Sequence, residues 1–451
     1  MLALARDLET KVKAARDEFG ALATVRLEGS LAKDTWLSED PDIDVFMQMP
    51  PSIQRPLLGE IALRVAKKAT EGAKQVERFA EHPYLEAFSD GVRVNIVPCY
   101  DARPGEWLSA TDRTPYHTDY INANLRKEQR NEVRLLKRFM KGIDVYGAEI
   151  KVGGFSGYLC ELLVLHFGSF VSVLKAFSKH TPRRVIDIQH FYEFRQRDLE
   201  LLFPEPLVIV DPVDKARNVA SAVQPQRLHT FVAASRVFLK EPTEKFFYPP
   251  RTRPFSDAEL RNALTRRGTT LVFLTFDKVN AVPDVLWGQL HRTRKALTKQ
   301  LEISGFNVLR AAAWSEETAQ FVTLVFELEQ CELSHAVKHI GPPLEFEKEC
   351  ESFLSKYVGN SNVVAGPFLD GGRWMVELPR KFTNAAAMLR EILKSGGKEV
   401  GVASLIAKAL RHDCLVLVGE EISQRLGNNA EFAQFLTEFL KGKPLWLKTK
   451  N

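Results

Sequence analysis

Residues 24–33 read TVRLEGSLAK, and residues 42–49 read DIDVFMQM. In the first stretch, apolar and polar side chains alternate before the glycine, which predicts a half-buried strand ending in a Gly-Ser turn. The second stretch is rich in β-branched and aromatic residues, which favour a strand. Because side chains alternate between the two faces of a strand, Asp42 and Asp44 are expected to point to the same side.

Two neighbouring carboxylates on one face repel each other unless a cation lies between them. Mg²⁺ prefers such oxygens together with substrate phosphates, and Ser30 stands where its hydroxyl and a backbone N–H at a helix start suit a phosphate. An isolated Asp-x-Asp is more often a solvated turn than a metal site. Placed after a strand and a Gly-Ser turn, it predicts a metal-dependent enzyme that acts on a nucleoside triphosphate.

The chain has 451 residues, is 45% hydrophobic and 26% charged, and carries a net charge of +5. This length suggests about three domains, and the composition is that of a globular protein. The mild positive charge is compatible with nucleic acid binding but does not require it. Five scattered cysteines without a C-x-x-C pair predict neither disulfides nor a zinc site. With no signal peptide or long apolar run in view, we expect a cytoplasmic protein that does not enter a membrane.

The pattern along the chain predicts an α+β multidomain protein in three parts. Residues 1–122 alternate helices and strands, which indicates a small mixed-sheet head. Residues 123–248 are mostly helical and form a neck, whose basic helix at 125–142 is either a solvated face or a contact for an anion. Residues 249–451 begin with a Pro-Pro pair, and the β-α-β-β order over 269–329 predicts a ferredoxin-like or RNA-recognition-like body, followed by an α/β tail.

Several motifs occur in an order that resembles the archaeal-type (class I) CCA-adding enzymes, the tRNA nucleotidyltransferases of the DNA polymerase β-like superfamily. The resemblance covers nearly the whole chain, and its ordered set of motifs is far more specific than any single match. The motifs are GSLAKDTW (29–36), DIDVF (42–46), VPCY (97–100), DRTPYH (112–117), NEVRLLK (131–137), YGAE (146–149), GFSGYL (154–159), DPVD (211–214), RNV (217–219), LW (286–287), QL (289–290) and HIGPP (339–343).

The resemblance implies template-independent addition of C, C and A to the tRNA 3′ end from CTP and ATP, with release of pyrophosphate. It implies two Mg²⁺ ions held by Asp42 and Asp44, with a third metal and catalytic position falling on Asn95. It assigns nucleotide contacts to seven polar side chains: Ser30, Lys33, Thr114, His117, Lys137, Tyr146 and Arg217. It also implies tRNA binding by the C-terminal half and suggests a homodimer.

Asn95 departs from the family pattern, which has a third carboxylate at this position. An amide oxygen ligates Mg²⁺ weakly, carries no charge and cannot accept a proton near pH 7. Three explanations stay open: a natural enzyme that works with two carboxylates, an engineered Asp→Asn variant, and a tRNA-binding relative with weak catalysis. A superfamily nucleotidyltransferase with another acceptor is a further alternative, although the C-terminal motifs argue against it.

Overall fold

The computed structural model describes residues 1–79, 81–89, 91–179, 181–316, 319–423 and 429–447. The chain forms two compact units. The first consists of residues 1–251 together with the C-terminal segment that begins at Pro444, and the second of residues 252–443. Helices pack on several separate sheets, so the α+β multidomain prediction is confirmed. The finer three-part division stays a prediction.

The first sheet has five strands in the order β1-β2-β5-β4-β3. Its strands are β1 (Thr24–Glu28), β2 (Asp42–Met49), β3 (Lys74–Phe79), β4 (Pro83–Ser89) and β5 (Val92–Tyr100), accompanied by helices α1 (Leu2–Glu18), α2 (Gly29–Ala32) and α3 (Arg55–Ala69). Strand β2 runs antiparallel to β1 and parallel to β5. Ile43, Val45 and Met47 of β2 are buried in a core that includes residues of α1 and α3. The even-numbered residues of β2, among them Asp42 and Asp44, therefore face the other side of the sheet.

The rest of the first unit is built from helices around a second core. Its elements are α4 (Thr114–Asn124), α5 (Lys127–Gly142), α6 (Gly157–Phe167), α7 (Phe170–Ser178), β6 (Arg184–Asp187), α8 (Gln196–Leu202), β7 (Leu207–Asp211), β8 (Asp214–Asn218) and α9 (Pro225–Lys240). Phe139, Phe155 and Phe231 are fully buried in this core, which also includes Trp446 from the C-terminal segment. The mostly helical prediction overlooked the small sheet β6-β7-β8, because β8 is polar and lacks alternation.

Within the described residues, no single helix is long and apolar enough to cross a membrane. The pair α6 and α7, bent by 90°, passes the same test of length and composition when the two helices are taken together.

The second unit contains a four-stranded antiparallel sheet in the order β10-β11-β9-β15 and a three-stranded sheet in the order β12-β14-β13. Its elements are α10 (Asp257–Arg267), β9 (Thr270–Asp277), α11 (Pro283–Ile303), β10 (Val308–Trp314), β11 (Phe321–Leu328), β12 (Ala336–Pro343), α12 (Glu347–Tyr357), β13 (Ala365–Asp370), β14 (Arg373–Pro379), α13 (Ala385–Lys394), α14 (Ser404–His412), β15 (Cys414–Val418) and α15 (Ala430–Lys441). The larger sheet has the β-α-β-β-α-β connectivity of a ferredoxin-like fold. Strand β15 completes the predicted sheet, and the smaller sheet is inserted before α13.

Candidate active site

Four polar side chains form a row across one face of the five-stranded sheet. The strand register pairs Glu28 with Asp44, Asp44 with Asn95, and Asn95 with Glu86. Residues directly opposite each other on neighbouring strands share a face of the sheet. The structure therefore brings the predicted Asp44 and Asn95 together and adds two carboxylates, Glu28 and Glu86, that the sequence did not single out.

Asp44 lies between Asn95 and the Gly-Ser turn. The amide nitrogen of Asn95 donates to Asp44 Oδ1 at 2.9 Å. Gly29 has a φ of +72°, and a Cβ at this position would lie 2.0 Å from Asp44 Oδ2, so only glycine permits both the turn and the close approach of the carboxylate. Burial raises the pKa of Asp44, and the hydrogen bond from Asn95 opposes this rise only in part.

Asp42 is held by an arginine on the neighbouring strand. Residues 42 and 93 are register partners on β2 and β5. Arg93 donates from Nε to Asp42 Oδ1 at 2.8 Å and from Nη2 to Oδ2 at 2.7 Å. Both carboxylate oxygens are thus engaged in a bidentate ion pair, the geometry that a guanidinium favours.

Lys33 and Lys137 share one buried carboxylate, Glu161, which lies in the apolar helix α6. Glu161 accepts from Lys33 Nζ at 2.6 Å, from Thr35 Oγ1 at 2.5 Å and from Lys137 Nζ at 3.2 Å. Lys137 also donates to the carbonyl oxygen and the hydroxyl of Thr35, at 3.1 and 3.0 Å. An ammonium has three donors, so those of Lys137 are fully used. Glu161 was not among the residues predicted for the site, although a lone charge in an apolar helix was a signal.

The electrostatics of this buried cluster depend on the pairing. Burial lowers the pKa of Lys137, and the neighbouring Glu161 carboxylate opposes that effect. For Glu161, burial alone would raise the pKa, but the two lysines bring it below its ordinary value. The carboxylate of Glu161 is therefore charged at neutral pH and stabilises the charged form of Lys137.

Tyr146 and Lys137 meet at the first residue of α6, Gly157. A bridge between Tyr146 and Phe155 fixes the tyrosine backbone. The Tyr146 hydroxyl lies 3.1 Å, and Lys137 Nζ 3.4 Å, from the position that a Cβ of residue 157 would occupy. Ser156 caps the helix by accepting from the backbone N–H of residue 159 at 3.1 Å. The absence of a side chain at Gly157 thus leaves room beside these two polar groups.

A second cluster surrounds the buried carboxylate of Asp211 at the end of β7. It accepts from Arg217 Nη1 at 2.7 Å and from the Tyr158 hydroxyl at 3.1 Å, and it lies 2.9 Å from His117 Nε2. The rings of His117 and Tyr158 stack with centroids 4.0 Å apart. Burial alone would raise the pKa of Asp211, but His117 and Arg217 bring it below its ordinary value. Thr114, also predicted, begins α4 one turn before His117.

The two clusters adjoin through the ring of Tyr158. Lys33 Nζ lies 5.5 Å from the centroid of that ring. Ser30 lies in α2, one turn before Lys33 and directly after Gly29. All ten residues predicted for the site therefore belong to the first unit, in three adjoining groups. The role of each of them stays a prediction.

The basic face of α5 pairs mainly with acidic residues of the segment between α2 and β2. Arg130 and Arg134 both contact Asp34, and Lys141 donates to Asp40 at 2.8 Å. The cations therefore hold the segment that leads into β2, and Lys137 on the same helix reaches the buried cluster. The basic face of this helix is therefore not purely solvated, and its contact with an anionic ligand stays a prediction.

Asp42, Asp44 and Asn95 are neighbouring oxygen-bearing side chains on β2 and β5 and are the candidate ligands for a divalent cation. Two carboxylates, completed by substrate oxygens or water, fit the hard-oxygen preference of Mg²⁺. Asn95 would add its amide oxygen only after rotation of the side-chain amide, because its nitrogen faces Asp44. In the part of the chain that the structure describes, no group of three or more His, Cys, Asp or Glu residues is arranged to hold a metal. The side chains of Asp42, Asp44 and Asn95 thus suit Mg²⁺, but they supply one negative charge fewer than three carboxylates would.

The sheet, the Gly-Ser turn and the carboxylate pair define a nucleotidyltransferase, and comparisons with known families agree. The family described as "Nucleotidyltransferase domain" matches residues 8–117. The family "tRNA nucleotidyltransferase, second domain" matches residues 131–248, and "CCA-adding enzyme, C-terminal domain" matches residues 267–419.

Individual relatives narrow this class to one family. The CCA-adding enzyme of Methanothermobacter thermautotrophicus is 38% identical over 94% of this chain and 90% of its own length. The CCA-adding enzyme of Haloarcula marismortui is 38% identical over 88% and 85%, and that of Pyrobaculum neutrophilum is 39% identical over 84% and 85%. The chain belongs to the CCA-adding enzyme family, and the resemblance seen in its motifs is confirmed.

Proposed function

We propose that this enzyme adds C, C and A to the 3′ end of tRNA from CTP and ATP and releases pyrophosphate. One observation carries the proposal: a single compact unit holds both the Asp44 carboxylate beside the Gly-Ser turn and two lysines that share Glu161 of α6. Carboxylates that hold cations and ammonium groups that hold phosphates are the two requirements of nucleotidyl transfer. The match to the family "tRNA nucleotidyltransferase, second domain" supports tRNA as the acceptor.

In this proposal the triphosphate is bound beside Ser30, Lys33 and Lys137. Lys33 donates one hydrogen bond to Glu161, which leaves two ammonium donors for phosphate oxygens. All three donors of Lys137 are engaged. Lys137 can therefore donate to a phosphate only after it gives up a hydrogen bond to Thr35 or Glu161. The exchange keeps the ammonium paired with an anion throughout.

The nucleoside lies on the other side of Tyr158 in this proposal, near Thr114, His117 and Arg217. The Arg217 side chain is 38% exposed while its guanidinium is held by buried Asp211. An arginine fixed at one end in this way presents its remaining donors in a defined direction. That arrangement suits reading the polar edge of the incoming base.

Asp42 and Asp44 would hold Mg²⁺, proposed as two ions, with the oxygen of Asn95 as a weaker ligand. When bound, such ions lower the pKa of an attacking hydroxyl and neutralise charge on the leaving pyrophosphate. The protein's own part is to hold the two carboxylates on one face and to keep Asp44 against Gly29. Asn95 cannot take the proton of the tRNA 3′-hydroxyl, so in this chain that proton leaves to water.

Replacing Asn95 with aspartate is expected to raise the rate of addition. The new carboxylate would face Asp44 at hydrogen-bonding distance, add a charged metal ligand and supply a proton acceptor. A positioned acceptor contributes about 10²–10⁴-fold where proton transfer limits the rate, and we expect at least about tenfold in single-turnover addition at saturating Mg²⁺. Asn124→Asp, on the exposed end of α4, is the matched control. An unchanged rate in Asn95→Asp would mean that neither metal occupancy nor deprotonation limits this enzyme.

The function is tested with labelled CTP and ATP and a tRNA that lacks its last three nucleotides. We expect ordered addition of two C residues and one A, and no addition to tRNA that already ends in CCA. Continuous addition of one nucleotide to unrelated RNA would instead identify a polymerase with another acceptor. Tight tRNA binding without incorporation would identify a non-catalytic relative, the alternative that Asn95 favours.

We further propose the division into a catalytic head (1–122), a nucleotide-binding neck (123–248) and a tRNA-binding body and tail (249–451). The family matches at 8–117, 131–248 and 267–419 support these boundaries. The homodimer and the cytoplasmic location stay predictions.

A further inference from the structure

The ion pair between Arg93 and Asp42 bears directly on how this site takes up a cation. Arg93 uses two guanidinium nitrogens to contact both oxygens of Asp42, at 2.8 and 2.7 Å. The pairing is built into the fold, because residues 42 and 93 are register partners on adjacent parallel strands. The oxygens that would ligate a metal at this position are therefore the same oxygens that Arg93 occupies.

The charge of the site makes this competition consequential. Asp42 and Asp44 supply two negative charges, Arg93 supplies one positive charge, and Asn95 supplies none. One net negative charge remains among these four side chains, and the same face of the sheet also carries the carboxylates of Glu28 and Glu86. A cation bound to Asp42 would lie close to the Arg93 guanidinium, because both would contact the same carboxylate. Two positive charges this close repel each other strongly in a partly buried site. A bound cation and the bidentate pair are thus mutually unfavourable.

The pair is also built so that it can open. The Arg93 side chain is 41% exposed and that of Asp42 is 28% exposed, so the guanidinium can leave Asp42 for water without becoming buried and unpaired. Asp40 is a nearby anion whose charge already acts on Arg93. Release of Arg93 therefore carries the modest cost of separating a partly exposed ion pair.

We propose that Arg93 is an internal counter-ion that competes with the divalent cation for Asp42, so that the two occupy this carboxylate in turn. This inference rests on the proposed function, because it takes Asp42 to be a cation ligand. Arg93 is a positioning residue: it holds Asp42 in place when no cation is bound and weakens cation binding. By linkage, cation binding drives Arg93 off Asp42 to the same extent.

The test measures Mn²⁺ binding directly. Electron paramagnetic resonance detects the bound ion in the absence of nucleotide and tRNA. Arg93→Gln is expected to bind Mn²⁺ about fivefold more tightly than the unmodified chain, the factor typical of losing one partly exposed ion-pair competitor. Arg93→Lys keeps the charge but loses the fork, so its affinity should lie between the two. Arg55→Gln removes an arginine from another partly exposed ion pair, with Glu81 at 2.6 Å, and should leave the affinity unchanged.

Equal or weaker Mn²⁺ binding by Arg93→Gln would overturn the inference, and so would no binding in either protein. If Arg93→Gln folds poorly, Arg93→Lys is measured in its place. An Mn²⁺ affinity of Arg93→Lys equal to that of the unmodified chain would then overturn the inference. The two proposals can fail separately. If the protein adds CCA in order but its Mn²⁺ affinity does not change on substitution of Arg93, this inference is wrong and the proposed function is unaffected.

Discussion

Asp44→Ala is expected to reduce nucleotide incorporation by at least about a thousandfold while leaving tRNA affinity within a few-fold. A metal bound in a transfer site contributes several kcal/mol of transition-state stabilisation, and about 4 kcal/mol corresponds to a thousandfold in rate. Asp44 is the carboxylate that accepts from Asn95 and lies against the Gly-Ser turn, so alanine removes a predicted cation ligand from the centre of the site. The measurements are single-turnover incorporation of CTP and, separately, equilibrium binding of tRNA.

Stability separates loss of chemistry from loss of folding in this variant. Burial raises the pKa of Asp44, which means that the folded state disfavours its charged form. Alanine removes that cost, and we expect the variant to be at least as stable as the unmodified chain. Asp119→Ala is the matched control, since this carboxylate pairs with Arg26 and its side chain is 61% exposed. A parallel loss of tRNA binding in Asp44→Ala would argue against a metal-binding role.

The alternation of side chains along β2 allowed the position of Asp42 and Asp44 to be predicted from the sequence. Strand β2 places residues 43, 45 and 47 in the core and leaves Asp42 and Asp44 on the other face, as alternation requires. The motif also identified Asn95 as the third position, and the register pairs it with Asp44. Family motifs likewise placed Lys33 and Lys137 in one site, although they are far apart in the chain.

What the sequence could not show depends on partners that are distant along the chain. Arg93 shares a face with Asn95 by alternation, but its pairing with Asp42 follows only from the parallel register. Two of the three hydrogen bonds that Glu161 accepts come from side chains 126 and 128 residues away. The sheet β6-β7-β8, which carries Asp211 and Arg217, has strands of four or five residues, and the polar sequence of β8 shows no alternation that would predict a strand.

Glu161→Gln is expected to lower the free energy of unfolding by about 3–5 kcal/mol, the usual cost of removing one partner of a buried ion pair. The glutamate side chain is fully buried, and it is the shared acceptor for two ammonium groups and the Thr35 hydroxyl. Glutamine keeps the shape but removes the charge that stabilises the lysines. The measurement is denaturant-induced unfolding at pH 7, with Glu71→Gln as control. Glu71 is 75% exposed in its ion pair with Lys68, so that change should leave the midpoint unmoved.

The deficit of Glu161→Gln should shrink as the pH rises. Burial lowers the pKa of Lys137 from its ordinary value of about 10.5, and Glu161 opposes this. Without the carboxylate, the folded-state pKa of Lys137 falls further. Between that pKa and the ordinary value, the unfolded chain binds more protons than the folded one, so stability increases with pH in this window. The variant therefore gains on the unmodified chain between its own, lower folded-state pKa of Lys137 and the folded-state pKa of Lys137 in the unmodified chain, and above that range the difference stays constant.

A double change distinguishes a specific charge pairing from a general packing defect. Glu161→Gln combined with Lys137→Met removes a buried charge of each sign, and such replacements cost far less than breaking a pair. We expect the double variant to be more stable than Glu161→Gln alone, with the KM for CTP raised because a phosphate partner is lost. If the double variant is less stable than either single variant, the two side chains act independently. Glu161 would then contribute through packing, and another group would have to stabilise the charge of the lysines.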